Sequence, residues 1–204
     1  MAWARIWWSV RGRIFSIRRV EGTPEEMSDE ALLAACSVGD KAALGALFDR
    51  FYDSVRRFLS RRAGTDERDL DDLVQMTFLA APEAARRFDG RSSVRGWLLG
   101  IANNTARHHI RAEIRRKRVA GVAAAEPLAS SQDASADLLA HERAQRLRLA
   151  VAALPEDLRE TFVLVYFEGL GGKEVAALLD IREANVWKRL QLARTQLRDA
   201  LGGE

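Results

Sequence analysis

Apolar side chains recur at helical spacing along most of this 204-residue chain. From about Asp40 to Arg62 they fall on one face of a predicted helix, as Leu44, Leu47, Phe48, Phe51, Val55, Phe58 and Leu59. Only four prolines occur, and no segment shows a convincing alternation of β-branched residues. Residues that favour helices, chiefly Ala, Leu, Arg and Glu, are abundant. The sequence therefore predicts an all-α fold.

A break in this pattern divides the chain. Residues 119–136 are rich in Ala and Ser, contain one proline and show no periodicity, so we interpret them as a flexible linker. Two small helical domains are predicted on either side, at 28–118 and 137–204. In the second domain, Pro155, the glycines at 169–172 and the segment 180–182 separate four helical stretches.

Helix signals refine the first domain. Ser28 is a suitable N-cap for the first helix, and Asp66 for the third. That third helix buries Leu70, Leu73, Val74 and Phe78, while Pro82 predicts a kink or break within it. Phe88 to Ser93 is predicted to be a loop and cap, after which a helix buries Val94, Trp97, Leu98, Ile101 and Thr105 and continues to Arg118.

Residues 1–27 form a basic N-terminal extension. Met1 to Val20 holds five arginines and no acid, and the arginines interrupt any apolar core that a signal peptide would need. We expect a poorly ordered extension, or a start codon assigned too far upstream, with Met27 as a sensible beginning. A basic amphipathic segment at a membrane surface is the alternative.

Charge and residue counts narrow the function classes. Eight Arg or Lys residues lie between Arg91 and Arg118 against the single acid Glu113, although the net charge is only +3. Such a block suits a phosphate backbone, and a solvated helix face is the alternative. Cys36 is the single cysteine, which excludes a disulfide framework within the chain. No apolar run reaches the length of a membrane span, so a reducing cytoplasm is expected.

The search for catalytic and metal-binding residues gives no candidate. His108 and His109 are adjacent, so on a helix they point apart and are poor joint metal ligands. The chain has no nucleophile elbow or phosphate loop. We therefore expect neither an enzyme nor a cofactor or metal site.

The C-terminal pattern is typical of a helix-turn-helix. Lys173–Leu179 is a short predicted helix, Asp180–Arg182 a tight turn, and Glu183–Leu201 a longer helix with an inward face of Val186, Leu190, Ala193 and Leu197. In this arrangement the second helix can enter a major groove. A purely structural hairpin is the alternative, but the small Ala176 at the crossing and Ile181 in the turn favour DNA binding.

Several motifs together resemble those of a known family. The segments 154–159, 167–170 and 173–176 (LPEDLR, FEGL and KEVA) resemble region 4 of sigma factors. Residues 72–78 (DLVQMTF), the stretch from Phe88 to Leu98, and residues 101–107 (IANNTAR) resemble region 2. Their order, with a linker between, is similar to that of extracytoplasmic-function (ECF) sigma factors of the sigma-70 family.

This resemblance implies partners and site residues. The partners would be core RNA polymerase, double- and single-stranded promoter DNA, and an anti-sigma factor that can hold the chain at the inner membrane. The implied polymerase-binding residues are Asp71, Asp72, Gln75 and Phe78. The implied −10-element residues are Phe88, Asn103, Asn104, Arg107, Arg111, Arg115, Arg116, Lys117 and Arg118. The implied −35-element residues are Arg159, Lys173, Asn185, Trp187, Lys188, Arg189, Gln191 and Arg194.

The chemistry of these residues agrees with the implied roles. An unstacked base needs an apolar wall and a hydrogen-bonding group, which Phe88 and Asn104 can supply. The arginines suit phosphates, whereas Trp97 is expected to be a core residue.

Three residues depart from the family pattern. Pro82 stands where a large aromatic is common, and Trp187 and Leu192 stand where Lys or Arg is frequent, which puts the −35 preference in doubt. The competing readings are a one-component helix-turn-helix regulator that binds an operator, a hydrolytic enzyme, and a membrane-surface adaptor.

Overall fold

The N-terminal segment contains a short β-hairpin. The computed structural model describes residues 7–10, 13–16, 23–63, 66–119 and 138–202. Strands β1 (Trp7–Val10) and β2 (Arg13–Ser16) pair antiparallel, with Trp8 opposite Phe15. The sequence predicted a poorly ordered extension here. Because aromatic and β-branched residues favour strands, this stretch of Trp, Val, Ile and Phe can pair locally.

The described residues of the N-terminal unit, 23–63 and 66–119, form four α-helices. They are α1 (Asp29–Ser37), α2 (Lys41–Ala63), α3 (Glu67–Ala85) and α4 (Val94–Val119), preceded by a 3₁₀ turn at Pro24–Glu26. Both predicted caps are confirmed: the Ser28 hydroxyl accepts from Ala31 N, and an Asp66 carboxylate oxygen accepts from Asp69 N. Each cap satisfies an amide that the helix leaves without an internal partner.

The predicted apolar faces meet in one core. Leu47, Phe58, Leu73 and Leu98 are fully buried, one or more from each of the helices α2, α3 and α4. Burial of each such side chain contributes about 1.5–3 kcal/mol to folding. Leu44, Phe48, Trp97 and Ile101 are partly buried against this core.

Of the expected kink or break at Pro82, the break is wrong. Helix α3 continues through Pro82 and ends one turn later, at Ala85. A proline removes only its own N–H, which here would have bonded the Phe78 carbonyl, and so near the helix end little of the ladder is lost. Ala81 and Ala85 are fully buried, so packing against the core holds this last turn.

The C-terminal unit, residues 138–202, contains four α-helices in its described part. They are α5 (Leu138–Ala153), α6 (Glu156–Phe162), α7 (Gly172–Leu179) and α8 (Glu183–Ala200), with a π-helical turn at Val163–Phe167 after α6. Asp180 ends α7 in the left-handed region, with φ of 54°, which reverses the chain between α7 and α8. The predicted inward face of α8 is confirmed, since Val186, Leu190, Ala193 and Leu197 are buried.

The two units contact each other. Helix α4 packs on α7, and α2 packs on α5 and the π-helical turn. The predicted linker, 119–136, lies outside the described residues except for Val119, which ends α4. The domain boundaries stay a prediction. None of the described helices is long and apolar enough to span a membrane.

Candidate nucleic-acid interface

The outer face of α3 holds three of the four predicted polymerase-binding residues. Asp71, Asp72 and Gln75 are exposed. Phe78 is only 4% exposed, and its ring lies 4.8 Å from that of Phe48. Phe78 follows Gln75 by three residues, but its ring packs inward against Phe48. Its main contribution is therefore to the core.

A shallow apolar groove lies beside these residues. It has a volume of about 340 Å³ and runs between α2 and α3, lined by Lys41, Leu44, Gly45, Phe48, Asp49, Gln75, Phe78 and Leu79. Leu79 is 68% exposed and Met76 55%. Leu79 was not among the predicted polymerase-binding residues, although its spacing of four residues from Gln75 places both side chains on one helix face.

Phe88 does not form an open base pocket in this structure. It is 7% exposed, and its ring meets Trp97 edge to face at 5.6 Å. Asn104, the proposed hydrogen-bonding partner of the base, is exposed on α4. The structure therefore encloses Phe88 and leaves Asn104 accessible.

Asn103, its neighbour, is buried in a polar cluster. Its side-chain oxygen accepts from Arg62 Nε at 3.0 Å, and its amide donates to Glu160 at 3.2 Å. Arg107, one turn further along α4, donates to both oxygens of Glu160 at 2.9 and 2.8 Å. These two residues from the −10 set therefore contact the C-terminal unit.

The basic end of α4 is mostly exposed. Arg111, Arg115, Arg116 and Arg118 are exposed, and Arg116 pairs with Glu113. The side chain of Lys117 lies outside the described residues. Their exposure leaves these arginines accessible, and their binding to phosphates stays a prediction.

His109 lies near two carboxylates at this end of the bundle. Its Nε2 is buried and 3.5 Å from Asp69, and the ligand atoms of Asp69, His109 and Glu113 all lie within 4.8 Å of one another. Glu113 is already paired with Arg116, and the surrounding helix is strongly basic. His109 Nε2 has no hydrogen-bond partner among the described residues, and we interpret the group as polar packing between α3 and α4.

Helix α8 presents most of the predicted −35 residues to solvent. Asn185, Trp187, Lys188, Gln191 and Arg194 are exposed opposite its buried face, and Lys173 is exposed on α7. The Trp187 ring covers the start of α7, because a Cβ on Gly172 would come 2.8 Å from it. Arg194 donates to the Tyr166 hydroxyl and lies over that ring.

Two arginines of the predicted −35 set form hydrogen bonds within the C-terminal unit. Arg159 is half-buried and donates to the Ala152 carbonyl at 2.7 Å, which joins α6 to α5. Burial and the charge of Arg62 lower the pKa of its guanidinium, and Glu156 opposes this. Arg189 is half-buried and bonds Glu160 at 3.3 Å. Neither side chain is fully exposed in this structure, and the assignment of both residues to the −35 element stays a prediction.

Glu160 lies at the centre of the contact between the units, and the sequence analysis did not identify it. It is 1% exposed and faces the guanidinium groups of Arg62, Arg107 and Arg189. Arg62 is completely buried and also bonds Glu156 at 3.2 Å. Burial lowers the pKa of Arg62, and Glu160 and Glu156 offset part of that effect. A buried charge of this kind is tolerated only when it is paired.

Comparison with known proteins gives a consistent result. The family model "Sigma-70 region 2" matches residues 47–116, and "Sigma-70, region 4" matches residues 144–197. The ECF RNA polymerase sigma-E factor of Escherichia coli (strain K12) is 31% identical over 178 residues, which covers 83% of this chain and 92% of that protein. The corresponding protein of Haemophilus influenzae is 28% identical over 185 residues, covering 87% and 97%.

Solved structures of sigma factors are similar to this chain in fold. CnrH, in complex with the cytosolic domain of CnrY, matches with a TM-score of 0.60 at 28% identity, covering 86% of this chain and 98% of that one. RpoE of Bartonella quintana, in complex with the anti-sigma factor NepR, shares the fold with a TM-score of 0.61 at 24% identity, covering 76% and 93%. The N-terminal unit matches region 2, the C-terminal unit matches region 4, and the relatives are matched over nearly their full length. This protein therefore belongs to the sigma-70 family as an ECF-type sigma factor, which directs promoter-specific transcription.

Proposed function

We propose that this sigma factor binds core RNA polymerase through the outer face of α3 and reads promoter DNA with α4 and α8. The observation that carries the polymerase site is the apolar groove of about 340 Å³ beside exposed carboxylates. Asp71, Asp72 and Gln75 form a polar rim, and Leu44, Phe48 and Leu79 offer apolar area. An apolar centre with a polar rim is the usual anatomy of a protein–protein interface.

Helix α8 is proposed to read the −35 element. Its buried stripe fixes the opposite face outward, where Asn185, Lys188 and Gln191 offer the amide and ammonium groups that bond base edges in a major groove. The Trp187 ring covers the start of α7. At position 187, α8 therefore presents an apolar surface where members of the family often carry Lys or Arg. We expect fewer phosphate contacts and a correspondingly weaker dependence of −35 binding on salt.

Helix α4 is proposed to serve the −10 element. Asn104 is available to an extruded base, and the arginines at 111, 115, 116 and 118 can hold the displaced strand through its phosphates. The roles of Phe88 and Asn103 require their present packing to open, because both are buried here. We keep both as −10 residues of the opened protein.

We further propose that the protein is not an enzyme, that it acts in the cytoplasm, and that an anti-sigma factor regulates it. A sigma factor supplies recognition while the polymerase performs the chemistry. The likeness to CnrH, which was solved with the cytosolic domain of CnrY, supports a regulatory partner. The same partner would hold the chain at the inner membrane.

The polymerase site is tested by changing its polar rim. Asp72→Lys combined with Gln75→Ala should weaken binding to core polymerase at least tenfold, which corresponds to about 1.4 kcal/mol. The measurement is a titration of core polymerase with labelled protein, followed by transcription from a cognate promoter. Asp53→Lys, an exposed carboxylate of α2 outside the groove lining, is the matched control. Unchanged core affinity in the folded double variant would remove this site.

A further inference from the structure

Helix α8 carries two large apolar side chains on its solvent-facing side. Trp187 is 51% exposed and Leu192 is 47% exposed. Neither belongs to the buried stripe that packs α8 against the rest of the C-terminal unit. Because removal of apolar surface from water is favourable, both side chains gain free energy from a partner that covers them.

The two apolar side chains flank a polar centre. Successive residues of an α-helix are about 100° apart around its axis, so Trp187 and Leu192 are separated by about 140°. Lys188 and Gln191 lie between them, in the middle of the exposed side, and both are exposed. A surface that binds another protein has the opposite arrangement, with an apolar centre inside a polar rim. The arrangement on α8 therefore fits a partner that offers hydrogen-bonding groups with apolar groups beside them.

The major groove of DNA offers such groups at A·T base pairs. Adenine presents N6 and N7 for hydrogen bonds, and thymine presents an O4 acceptor next to its apolar C5-methyl group. The Gln191 amide suits adenine, and the Lys188 ammonium can donate to O4 or N7. A G·C pair has no methyl group in the groove. Apolar side chains beside these two residues therefore favour thymine.

Both apolar residues lie in the part of α8 that can meet bases. In a helix-turn-helix, the N-terminal residues of the second helix contact the base edges. Trp187 and Leu192 are the fifth and tenth of the 18 residues of α8. They are about 7.5 Å apart along the helix axis, which corresponds to about two base-pair steps. We therefore expect them to contact different base pairs.

The Trp187 ring is already held in place by the protein. A Cβ on Gly172, at the start of α7, would lie 2.8 Å from Cζ2 and 3.1 Å from Cε2 of the ring. The ring therefore packs on the backbone of α7 at a distance that a side chain at position 172 would not allow. A side chain that is fixed before binding loses little conformational freedom on binding.

We propose that Trp187 and Leu192 are specificity-determining residues for the −35 element, and that each contacts the C5-methyl group of a thymine in the major groove. The preferred −35 element then contains at least two A·T pairs, about two base-pair steps apart. This inference rests on the proposed function, in which α8 reads the −35 element. It adds the base that is preferred and the side chains that select it.

The test isolates the methyl group, which is the only difference between thymine and uracil. Core polymerase carrying the full-length protein first selects its preferred −35 element from a cognate promoter randomised in that region. Each thymine of the selected element is then replaced by deoxyuridine, one at a time, and the affinity is measured by competition. We expect an affinity loss of about fourfold at two positions, which is the contribution of one buried methyl group.

Substitutions in α8 assign each position to one side chain. Leu192→Ala should abolish the uracil effect at one position, and Trp187→Ala should abolish it at the other. Leu201→Ala is the matched control, because Leu201 is 46% exposed but lies about 13 Å further along the helix than Leu192. This control should keep both uracil effects. Circular dichroism establishes that each variant is folded.

A second route displaces the Trp187 ring without removing it. Gly172→Ala places a methyl group 2.8 Å from the ring, so the ring must shift, while alanine favours the helix. This variant should lose the uracil effect at the Trp187 position and keep the one at the Leu192 position. It replaces Trp187→Ala if that variant does not fold.

Three results would overturn the inference. The first is an affinity that uracil leaves unchanged at every position, or a selected element without thymine. The second is persistence of both uracil effects in the Trp187 and Leu192 variants. The third is a loss of transcription in these variants with unchanged DNA affinity, which would mean that the two side chains bind a protein instead.

Failure of the proposed function has a different signature. The holoenzyme would then select no −35 sequence, or it would select the same sequence after Lys188 and Gln191 are both replaced by Ala. Either result removes α8 as the reader of the −35 element, and the inference is overturned with it.

Discussion

Asn103 and Asn104 are adjacent on α4 but lie in different environments. Asn103 is 1% exposed and has both ends of its amide bonded, to Arg62 and to Glu160. Asn104 is exposed, so its amide is free to meet a base that leaves the helical stack. In this structure Asn103 is therefore packed into the contact between the units, and Asn104 stays accessible for the base contact proposed for it.

This difference predicts a specific defect for Asn104→Ala. Loss of a base contact typically costs about 1–3 kcal/mol, so the population of open complex should fall about tenfold to a hundredfold. Binding to closed duplex should change less, because the base is available only after extrusion. Permanganate footprinting of a cognate promoter, beside the same promoter with a pre-melted bubble, measures this. If the variant opens both templates like the wild-type protein and keeps its base preference, Asn104 has no recognition role.

The burial and the distant partners of single side chains were the features least predictable from the sequence. Helical spacing predicted that Phe78 is buried, and its ring packs against that of Phe48. No such pattern covers the loop residue Phe88, whose ring is enclosed by Trp97. Glu160 escaped notice because its partner Arg62 lies 98 residues away. No local pattern reports a contact over such a distance.

The basic end of α4 combines exposure with a high density of charge. Arg115, Arg116 and Arg118 project from the last turns of the helix, and only Arg116 among these three has an ion pair within the described residues. Such a surface should bind phosphates without regard to base sequence.

Replacement of Arg115, Arg116 and Lys117 by Ala should therefore weaken promoter binding similarly across DNA sequences. The slope of log affinity against log salt should become shallower by about 0.9 for each lost phosphate contact. The measurement is a salt titration of holoenzyme binding to specific and non-specific duplexes. Arg57→Ala, an exposed arginine of α2, serves as the control and should keep the wild-type slope. An unchanged slope in the triple variant would make these charges an ordinary solvated surface.

Secondary structure was the most predictable level. The caps at Ser28 and Asp66 and the buried stripe of α8 follow from local hydrogen bonding and from the helical repeat, both of which act within a few residues. Pro82 shows the opposite case. The local rule predicted a break, and burial of Ala81 and Ala85 against the core overrides it.

In the molecule as a whole, ion pairs that involve buried side chains connect the N-terminal and C-terminal units. Membership of the sigma-70 family removes the one-component regulator as an alternative, because both regions 2 and 4 are present in order. What the family does not specify is how the units meet in the free protein. In this structure Arg62 connects the two units. It is fully buried and bonds Asn103 of the N-terminal unit and Glu156 and Glu160 of the C-terminal unit.

Arg62→Ala should therefore loosen both units at once. Removal of one partner from a buried ion pair typically costs about 3–5 kcal/mol, because the remaining charge stays buried without compensation. Peptide-resolved hydrogen exchange should show faster exchange in α4 and in α6, because these helices carry the Arg62 partners Asn103, Glu156 and Glu160. Arg57→Ala, on the exposed side of the same helix, should change neither. A response confined to the N-terminal unit would mean that Arg62 stabilises only its own bundle and that Glu156 and Glu160 are not its partners in solution.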